Sequence, residues 1–244
     1  MSKSFVMPGR GAHISERADI RDTRPSEAIE DYAKALYSLG RKTGGGPVGT
    51  NDLAERLGVS PASATAMLKR MAERGLVEHT PYRGATLTPE GEKVALVVVR
   101  NHRLLETYLS EVLDMPWDRV HDEAEVLEHH ISDELAARIA ASLGDPSHDP
   151  HGDPIPSEDL EIDEQAGMAL ADAEAGVEHR FVRVSDADPE MLRHLATEGI
   201  RPGATVTVVE VEPFGGSVRV RVDGRDHSLG SGLASRMRVV PVAS

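Results

Sequence analysis

The chain contains no cysteine, which excludes disulfide bonds and any metal site built on thiolates. Aromatic residues make up only 3% of it, so its cores must consist of Leu, Val, Ile, Met and Ala. No apolar run approaches the ~20 residues of a transmembrane helix, and the first residues lack the apolar segment of a signal peptide. We therefore expect a cytoplasmic protein without a membrane partner. Its 244 residues predict one or two domains and leave room for a small third.

Positive charge is concentrated in the first part of the chain, although the net charge is −14. Residues 1–100 hold 15 Lys and Arg against 12 Asp and Glu, whereas residues 101–244 hold 12 against 29. Such a split favours a polyanion-binding N-terminal part and a remainder that repels polyanions. The alternative is an acidic protein that merely has one less acidic end.

The order of predicted elements in residues 25–95 is that of a winged helix-turn-helix. Ser26 precedes a helix with apolar residues at helical spacing, which we expect Gly40 and the TGGGP stretch after it to end. A short helix and a sharp turn follow, and then a helix with Ser60 as its cap and Pro61 at its first position. Residues 76–88 read as a β-hairpin around a turn at residues 81–84. Residues 1–24 read as a flexible leader.

The remainder divides into a helical part and a β-rich part. Two long helices are predicted at about Glu90–Leu113 and Asp118–Leu143, in a domain of residues 96–144. These two helices are candidates for a dimer interface, with Leu96, Leu104, Leu109 and Val112 as apolar residues. Residues 145–176 are rich in Pro, Asp and Gly and predict an ordered loop or linker. Residues 177–244 alternate apolar and polar residues, which predicts a small β-barrel.

The start of the third helix is suited to the major groove of DNA. Its small side chains allow close approach, its hydroxyls can contact phosphates or bases, and its N-terminus favours a phosphate. No Arg, Asn or Gln is present there for a bidentate base contact, so shape, methyl and backbone contacts should carry much of the readout. The alternative is a winged helix that binds a protein. The candidate DNA-contacting residues are Ser60, Pro61, Ala62, Ser63, Thr65, Lys69, Arg70 and Arg83.

Histidines and carboxylates share faces of the two long predicted helices. On one helix, an arc of about 100° holds four of them: His121, Glu125, Glu128 and His129. On the preceding helix, His102 and Glu106 form an i, i+4 pair. Two antiparallel helices can present such residues to one metal ion. The alternative is a solvated acidic face with incidental histidines. Imidazole and oxygen ligands without sulfur favour Mn(II), Fe(II) or Co(II) over thiolate-bound Zn(II).

With these residues in view, the chain resembles the diphtheria-toxin-repressor family of metal-dependent transcriptional regulators. The resemblance covers about residues 26–240 and is most specific at EDYAKALYSL, the helix-turn-helix, RNHRLLE, VHDEAEVLEHHISDE and GDPIP. It implies a homodimer that binds a double-stranded DNA operator, and a C-terminal domain similar to SH3-like domains. It also implies that the protein is not an enzyme.

The resemblance assigns the ligands to two sites per subunit. An ancillary site corresponds to His102, Glu106 and His121, completed by Asp188, with Glu190 as a neighbour. A regulatory site corresponds to Asp31, Glu125, Glu128 and His129. Iron-sensing members carry Met and Cys where this chain has Asp31 and Glu125, and manganese-sensing members carry Asp and Glu, so Mn(II) is favoured. Lys34 departs from the two-domain manganese regulators, which place a bridging glutamate nearby; two separated sites are therefore expected.

Three classes of function are thus compared: a metal-dependent repressor, a regulator of another ligand and an enzyme. The resemblance favours a Mn(II)-dependent repressor, with an Fe(II)-responsive regulator of the same family as the alternative. A regulator that senses an organic ligand would need an apolar pocket and would be indifferent to chelators. A metallohydrolase would need an open coordination position and a general base, and its winged helix would be superfluous.

Overall fold

The computed structural model describes residues 25–80, 83–163 and 167–242. The chain divides into two compact units, one ending at Val94 and the other beginning at Ala95. The predicted leader, and Pro81 and Tyr82 of the predicted hairpin turn, lie outside the described residues. Among the described residues, no helix is long and apolar enough to cross a membrane.

The first unit is the predicted winged helix-turn-helix. It contains α1 (Glu27–Lys42), α2 (Thr50–Arg56), α3 (Pro61–Glu73), β1 (Val77–Thr80) and β2 (Gly84–Leu87). The two strands pair antiparallel, and Val48 adds an antiparallel bridge to Ala85. Glycine is required at position 84, since an added Cβ would lie 2.3 Å from the carbonyl oxygen of Val48.

Helix α3 begins as the sequence predicts. The Ser60 hydroxyl accepts a hydrogen bond from the Ser63 amide, and Pro61 occupies the first turn, where no amide proton is needed. Ala64, Leu68 and Met71 are fully buried on one face, which fixes the opposite face toward solvent. Helix α1 continues two residues past Gly40 to Lys42 and ends at the TGGGP stretch, with Thr43 as its C-cap.

The helical part of the second unit has one more break than predicted. Helix α4 (Pro89–Glu111), within which the division into units falls, is followed by α5 (Val120–Leu127) and α6 (Asp133–Ser142). The single helix expected over residues 118–143 is therefore wrong. The Ser132 hydroxyl accepts a hydrogen bond from the Leu135 amide and so caps a new helix.

A small apolar core joins these helices. It includes Leu104 from α4, Ala124 from α5, Ile139 from α6 and Ile155 from the following loop. Leu104 is fully buried, and Leu96 and Leu109 are at most 9% exposed, so these three pack inside the subunit rather than on a dimer surface. Of the apolar residues expected at the interface, only Val112 is exposed.

The C-terminal part is the predicted β-domain with additional short elements. A 3-10 turn (Leu170–Asp172) and helices α7 (Pro189–Thr197) and α8 (Ser231–Ala234) accompany six strands. The strands are β3 (Met168–Ala169), β4 (Glu178–Val184), β5 (Thr205–Val211), β6 (Val218–Val222), β7 (Arg225–Leu229) and β8 (Met237–Pro241). They form an antiparallel sheet in the order β3-β8-β4-β5-β6-β7, and its two end strands do not pair with each other in the described part of the chain.

The core of this domain consists of apolar residues that alternate with exposed polar residues along the strands. On β6, Val218, Val220 and Val222 are buried while the arginines between them are exposed, which is the period of two expected for a half-buried strand. Phe181 on β4 is fully buried in the same core. The predicted mainly α fold, with its winged helix, helical domain and small C-terminal β-domain, is confirmed.

Candidate metal centre

Two buried candidate ligands lie on one face of α4. His102 and Glu106 are separated by one helical turn, and His102 Nε2 lies 3.0 Å from Glu106 Oε1. His102 is 5% exposed and Glu106 is 1% exposed. A buried carboxylate is costly without partners, so its position indicates that positive charge or donated hydrogen bonds surround it.

The first turn of α5 and the loop after β4 complete a four-residue cluster. His121 Nδ1 lies 3.2 Å from His102 Nε2, 3.4 Å from Glu106 Oε1 and 3.0 Å from Asp186 Oδ2. One potential ligand atom from each of His102, Glu106, His121 and Asp186 can be chosen so that all lie within 4.8 Å of one another. We call these four residues the ancillary cluster.

The carboxylate that reaches this cluster from the β-domain is Asp186, not the predicted Asp188. Asp188 is the N-cap of α7, and its Oδ1 accepts hydrogen bonds from the amides of Glu190 and Met191. Its other oxygen lies 3.6 Å from Arg236. Both oxygens of Asp188 are thus engaged by its own domain, and Glu190 contributes its backbone amide to that cap.

The two histidines stabilise the negative charges of the carboxylates in the ancillary cluster. Burial tends to raise the pKa of Glu106, but the His102 charge and hydrogen bonds from His102 and His121 outweigh it and hold this pKa well below its usual range. Hydrogen bonds from His121 to Asp186 and Glu106 raise the pKa of His121 to about 10. Burial also raises the pKa of Asp186, yet its contact with His121 brings the net pKa below the ordinary value.

The donor set of this cluster fits a divalent cation. Two imidazoles and two carboxylates converge with no sulfur among them, which suits Mn(II), Fe(II) or Co(II). In the metal-free chain, the positive charges of His102 and His121 balance the two carboxylates; a divalent cation that displaced their two protons would supply the same balance. His102, Glu106, His121 and Asp186 are the residues that would hold it.

A second group of candidate ligands lies at the end of α5. Glu128 is fully buried just after the helix, with its Oε2 atom 2.5 Å from His102 Nδ1 and its Oε1 atom 3.5 Å from His129 Nε2. Glu125 lies 3.7 Å from His121 Nε2, and its carboxylate groups with His102 and Glu128. Helix α5 ends at Leu127, and Glu128 is its C-cap: its backbone angles are helical and its amide donates to the carbonyl of Ala124, so Glu128 continues the predicted arc, whereas His129 lies in the turn that follows.

Asp31 and Lys34 lie on α1 in the first unit, both partly buried. The assignment of Asp31 to the ligand set of Glu125, Glu128 and His129 stays a prediction.

The loop predicted as a linker contributes two buried polar residues that the sequence analysis missed. Asp149 and His151 are at most 7% exposed, and they form a further ligand group with Glu106. The signal was the HDPHGDP stretch, in which His and Asp alternate with turn-forming residues. Asp186 lies on a loop, two residues before the predicted Asp188, and spacing along a loop does not show which of the two carboxylates reaches the cluster.

The candidate DNA-contacting side chains lie on the solvent face of the first unit. Thr65 is partly buried, and its hydroxyl donates to the carbonyl of Pro61, so its methyl group is the part left to contact a base. The others are exposed: Ser60, Pro61, Ala62, Ser63, Lys69, Arg70 and Arg83.

Three family models match the chain in succession. Residues 25–85 match the N-terminal DNA-binding domain of iron-dependent repressors, and residues 88–157 match their metal-binding and dimerisation domain. Residues 168–241 match the FeoA domain.

Individual relatives cover half of the chain or more. The diphtheria toxin repressor of Corynebacterium efficiens is 32% identical over an alignment of 226 residues that covers 88% of this chain and 96% of that protein. The transcriptional regulator MntR of Escherichia coli is 38% identical over 122 residues, covering 50% of this chain and 77% of that protein. A solved manganese-dependent transcriptional repressor in complex with manganese is 42% identical, with a TM-score of 0.79 over 88% of this chain and all of that one. The chain therefore belongs to the iron-dependent repressor family, whose members are metal-dependent, DNA-binding transcriptional repressors.

Proposed function

We propose that this repressor responds to Mn(II) and uses it as a corepressor. The observation that carries the proposal is the convergence of two imidazoles and two carboxylates, without sulfur, in the ancillary cluster. The 42% identity to a manganese-dependent repressor supports the same ion. Fe(II) is the alternative, since iron-dependent repressors are also among the relatives, and Co(II) suits the same ligands.

A regulatory site made of Asp31, Glu125, Glu128 and His129 is the second part of the proposal. The resemblance, rather than any distance, assigns Asp31 to this set. Three hard carboxylates and one imidazole favour Mn(II) over a softer ion. An ion that binds one arrangement of the DNA-binding head better than the others would shift the population toward it and so act as a switch. Two sites per subunit are proposed on this basis.

The repressor is proposed to act as a homodimer. Residues 88–157 match a domain described as metal-binding and dimerising. Large apolar side chains in this region are exposed at the end of α4, on α5 and on α6: Val112, Leu113, Val126, Leu127 and Leu135. A symmetric partner that covered them would remove apolar surface from water. Two winged helices would then be presented to one double-stranded operator, with α3 of each in the major groove.

A DNA selection experiment tests the metal dependence without knowledge of the operator. The metal-stripped chain is incubated with a pool of random duplexes in EDTA, in Mn(II) or, without oxygen, in Fe(II). We expect enrichment of a common sequence in Mn(II) and none in EDTA. Equal retention of the selected duplex in EDTA and Mn(II) would contradict the proposal and favour a regulator of another ligand. Stronger activation by Fe(II) at equal free concentration would favour the iron-responsive alternative.

A further inference from the structure

Asn101 is a buried polar residue in the middle of α4. The helix spans Pro89–Glu111, and Asn101 is 4% exposed. Asparagine is unfavourable in the interior of a helix, because its side chain competes for backbone hydrogen bonds. Its amide group is also costly to bury without a partner. Neither helix formation nor apolar packing therefore explains an asparagine at this position.

The partner of Asn101 is the backbone of Glu128, at the end of α5. The Nδ2 atom of Asn101 donates to the carbonyl oxygen of Glu128 at 3.2 Å. A carbonyl oxygen only accepts, which identifies the amide nitrogen of Asn101 as the donor. The last carbonyl groups of a helix have no partner within that helix, and Glu128 is the C-cap of α5. Asn101 therefore supplies the end of α5 with a donor from another helix.

His102, the neighbour of Asn101 on α4, contacts the other end of the same residue. Its Nδ1 atom lies 2.5 Å from Glu128 Oε2. Glu128 is thus held by its backbone through Asn101 and by its carboxylate through His102. Contacts at both ends of a flexible side chain restrict its rotamers, which is what a metal centre requires of its ligands.

The hydrogen bond from Asn101 also bears on His129. This residue follows Glu128 in the chain, and its Nε2 atom lies 3.5 Å from Glu128 Oε1. A shift of the backbone at Glu128 would therefore move two proposed ligands together. A buried asparagine that pairs across two helices can fix their register, as it does in coiled coils. Asn101 pairs α4 with α5 in this manner.

Thr107 is a buried polar residue on the same helix that makes a different kind of bond. It is 1% exposed, and its hydroxyl donates to the carbonyl of Arg103, four residues earlier in α4. Loss of this bond would remove a contact within α4 and leave the donor to α5 in place. Thr107 is therefore a matched control for Asn101.

We propose that Asn101 is a positioning residue of the metal centre, which places the proposed ligands Glu128 and His129 by holding the backbone at the end of α5. This inference rests on the proposed function, because it concerns two ligands of the proposed regulatory site. Residues that orient metal ligands from behind affect metal binding about 10- to 100-fold. Asn101 is expected to act in this range, since it holds the backbone of a ligand rather than its ligating atoms.

Asn101→Leu tests the proposal, because leucine has the branched shape of asparagine but no donor. We expect about 10- to 100-fold weaker Mn(II) binding, measured by calorimetry on the full chain. Thr107→Val, which also removes a buried polar group from α4, should bind Mn(II) as the unchanged chain does. Asn101→Ala is a second variant, since alanine favours the helix and needs no additional space. Unaltered Mn(II) affinity in the folded variants would overturn the proposal.

A double-mutant cycle separates positioning from a general loss of stability. If Asn101 acts through Glu128, its substitution should matter little once the Glu128 carboxylate is gone. We therefore expect Asn101→Leu to weaken Mn(II) binding less than about 2-fold in a chain that already carries Glu128→Gln. Equal losses with and without Glu128→Gln would show that Asn101 does not act through Glu128.

Nuclear magnetic resonance of the metal-free chain gives a readout that needs no ion. A ring N–H of His102 that donates to the Glu128 carboxylate over 2.5 Å should give a strongly deshielded proton signal. We expect Asn101→Leu to lose or shift this signal and Thr107→Val to keep it. An unchanged signal in Asn101→Leu counts against the proposal. If the signal responds but the unchanged chain binds no Mn(II), the proposed function fails, whereas the placement of Glu128 by Asn101 stands.

Discussion

The Nδ1 atom of His102 lies 2.5 Å from the Glu128 carboxylate, so a single imidazole touches both groups of candidate ligands. Its other nitrogen, Nε2, belongs to the ancillary cluster with Glu106 and His121. When Nδ1–H donates to Glu128, Nε2 is left with the lone pair that a metal requires. Glu128 therefore sets the tautomer of an ancillary ligand while being a proposed regulatory ligand itself. Ion binding at one group should therefore change the ion affinity of the other.

Glu128→Gln tests this link. Glutamine keeps the size of the buried side chain, but it removes the charge that attracts the His102 proton. We expect about 10- to 100-fold weaker Mn(II) binding, in the range found when outer-shell partners of metal ligands are changed. Titration calorimetry on the full chain measures it. Glu134→Gln, on an exposed residue of α6 that pairs with Arg138, is the control and should bind Mn(II) normally. Unaltered Mn(II) affinity in Glu128→Gln would remove Glu128 from the metal centre.

Asp186→Asn and Asp188→Asn form a matched pair on one loop. Asp186 contacts His121, whereas Asp188 caps α7, and asparagine is an equally good cap. We expect Asp186→Asn to weaken Mn(II) binding at the ancillary cluster about 10-fold or more, and Asp188→Asn to leave it unchanged. Calorimetry compares the Mn(II) affinities of the two variants, and thermal melts compare their stabilities. The reverse result would restore Asp188 as the fourth ligand.

Proton release should accompany metal binding. His121 has a pKa of about 10 and is protonated at neutral pH in the metal-free chain. An imidazole must lose its ligating proton to bind a metal, so apparent Mn(II) affinity should rise with pH up to that pKa. The rise for one proton is about 10-fold per pH unit. Calorimetry at pH 7 in buffers with different heats of ionisation counts the protons. A binding enthalpy that is the same in all buffers would show that His121 is not a ligand.

Metal preference is predicted to depend on two hard ligands. The double substitution Asp31→Met with Glu125→Cys introduces the softer donors of the iron-sensing members and should shift activation from Mn(II) toward Fe(II). The ratio of the Mn(II) and Fe(II) concentrations that half-saturate DNA binding, measured without oxygen, reports the shift. An unchanged ratio would place selectivity in the ancillary cluster instead.

Local signals in the sequence predicted most elements, and the misses have separate physical causes. Apolar spacing predicted α3, and the Ser60–Pro61 pair predicted its start to the residue, because both are local properties of the chain. The break between α5 and α6 was missed because apolar periodicity continues across it, although Ser132 followed by Asp133 and Glu134 is a helix start. Strand β7 carries no apolar alternation of its own, since only one of its residues, Leu229, is buried.

The ligand set was less predictable than the fold. His102, Glu106 and His121 lie on helices, where spacing states which residues share a face. Asp149, His151 and Asp186 lie on loops, and their approach to Glu106 depends on the packing of the β-domain against α4 and α5. Side-chain spacing along a loop does not encode such tertiary contacts. Gly152 permits one such contact, the close approach of its loop to the backbone of Val182. No pattern in the flanking residues predicts this approach.

Arg70 separates DNA contact from metal sensing. It is exposed on α3, and in the described part of the chain it has no ion pair, including with Glu73 one turn away. If Arg70 contacts a phosphate, Arg70→Ala should weaken DNA binding while Mn(II) affinity stays normal. The slope of log affinity against log salt concentration should fall by about 0.9, the contribution of one neutralised phosphate. Arg219→Ala, which removes an exposed arginine paired with Glu210 in the β-domain, should leave the slope as it is. If the slope in Arg70→Ala equals that of the unchanged chain, Lys69 and Arg83, which are also exposed on this unit, become the candidates for the phosphate contact.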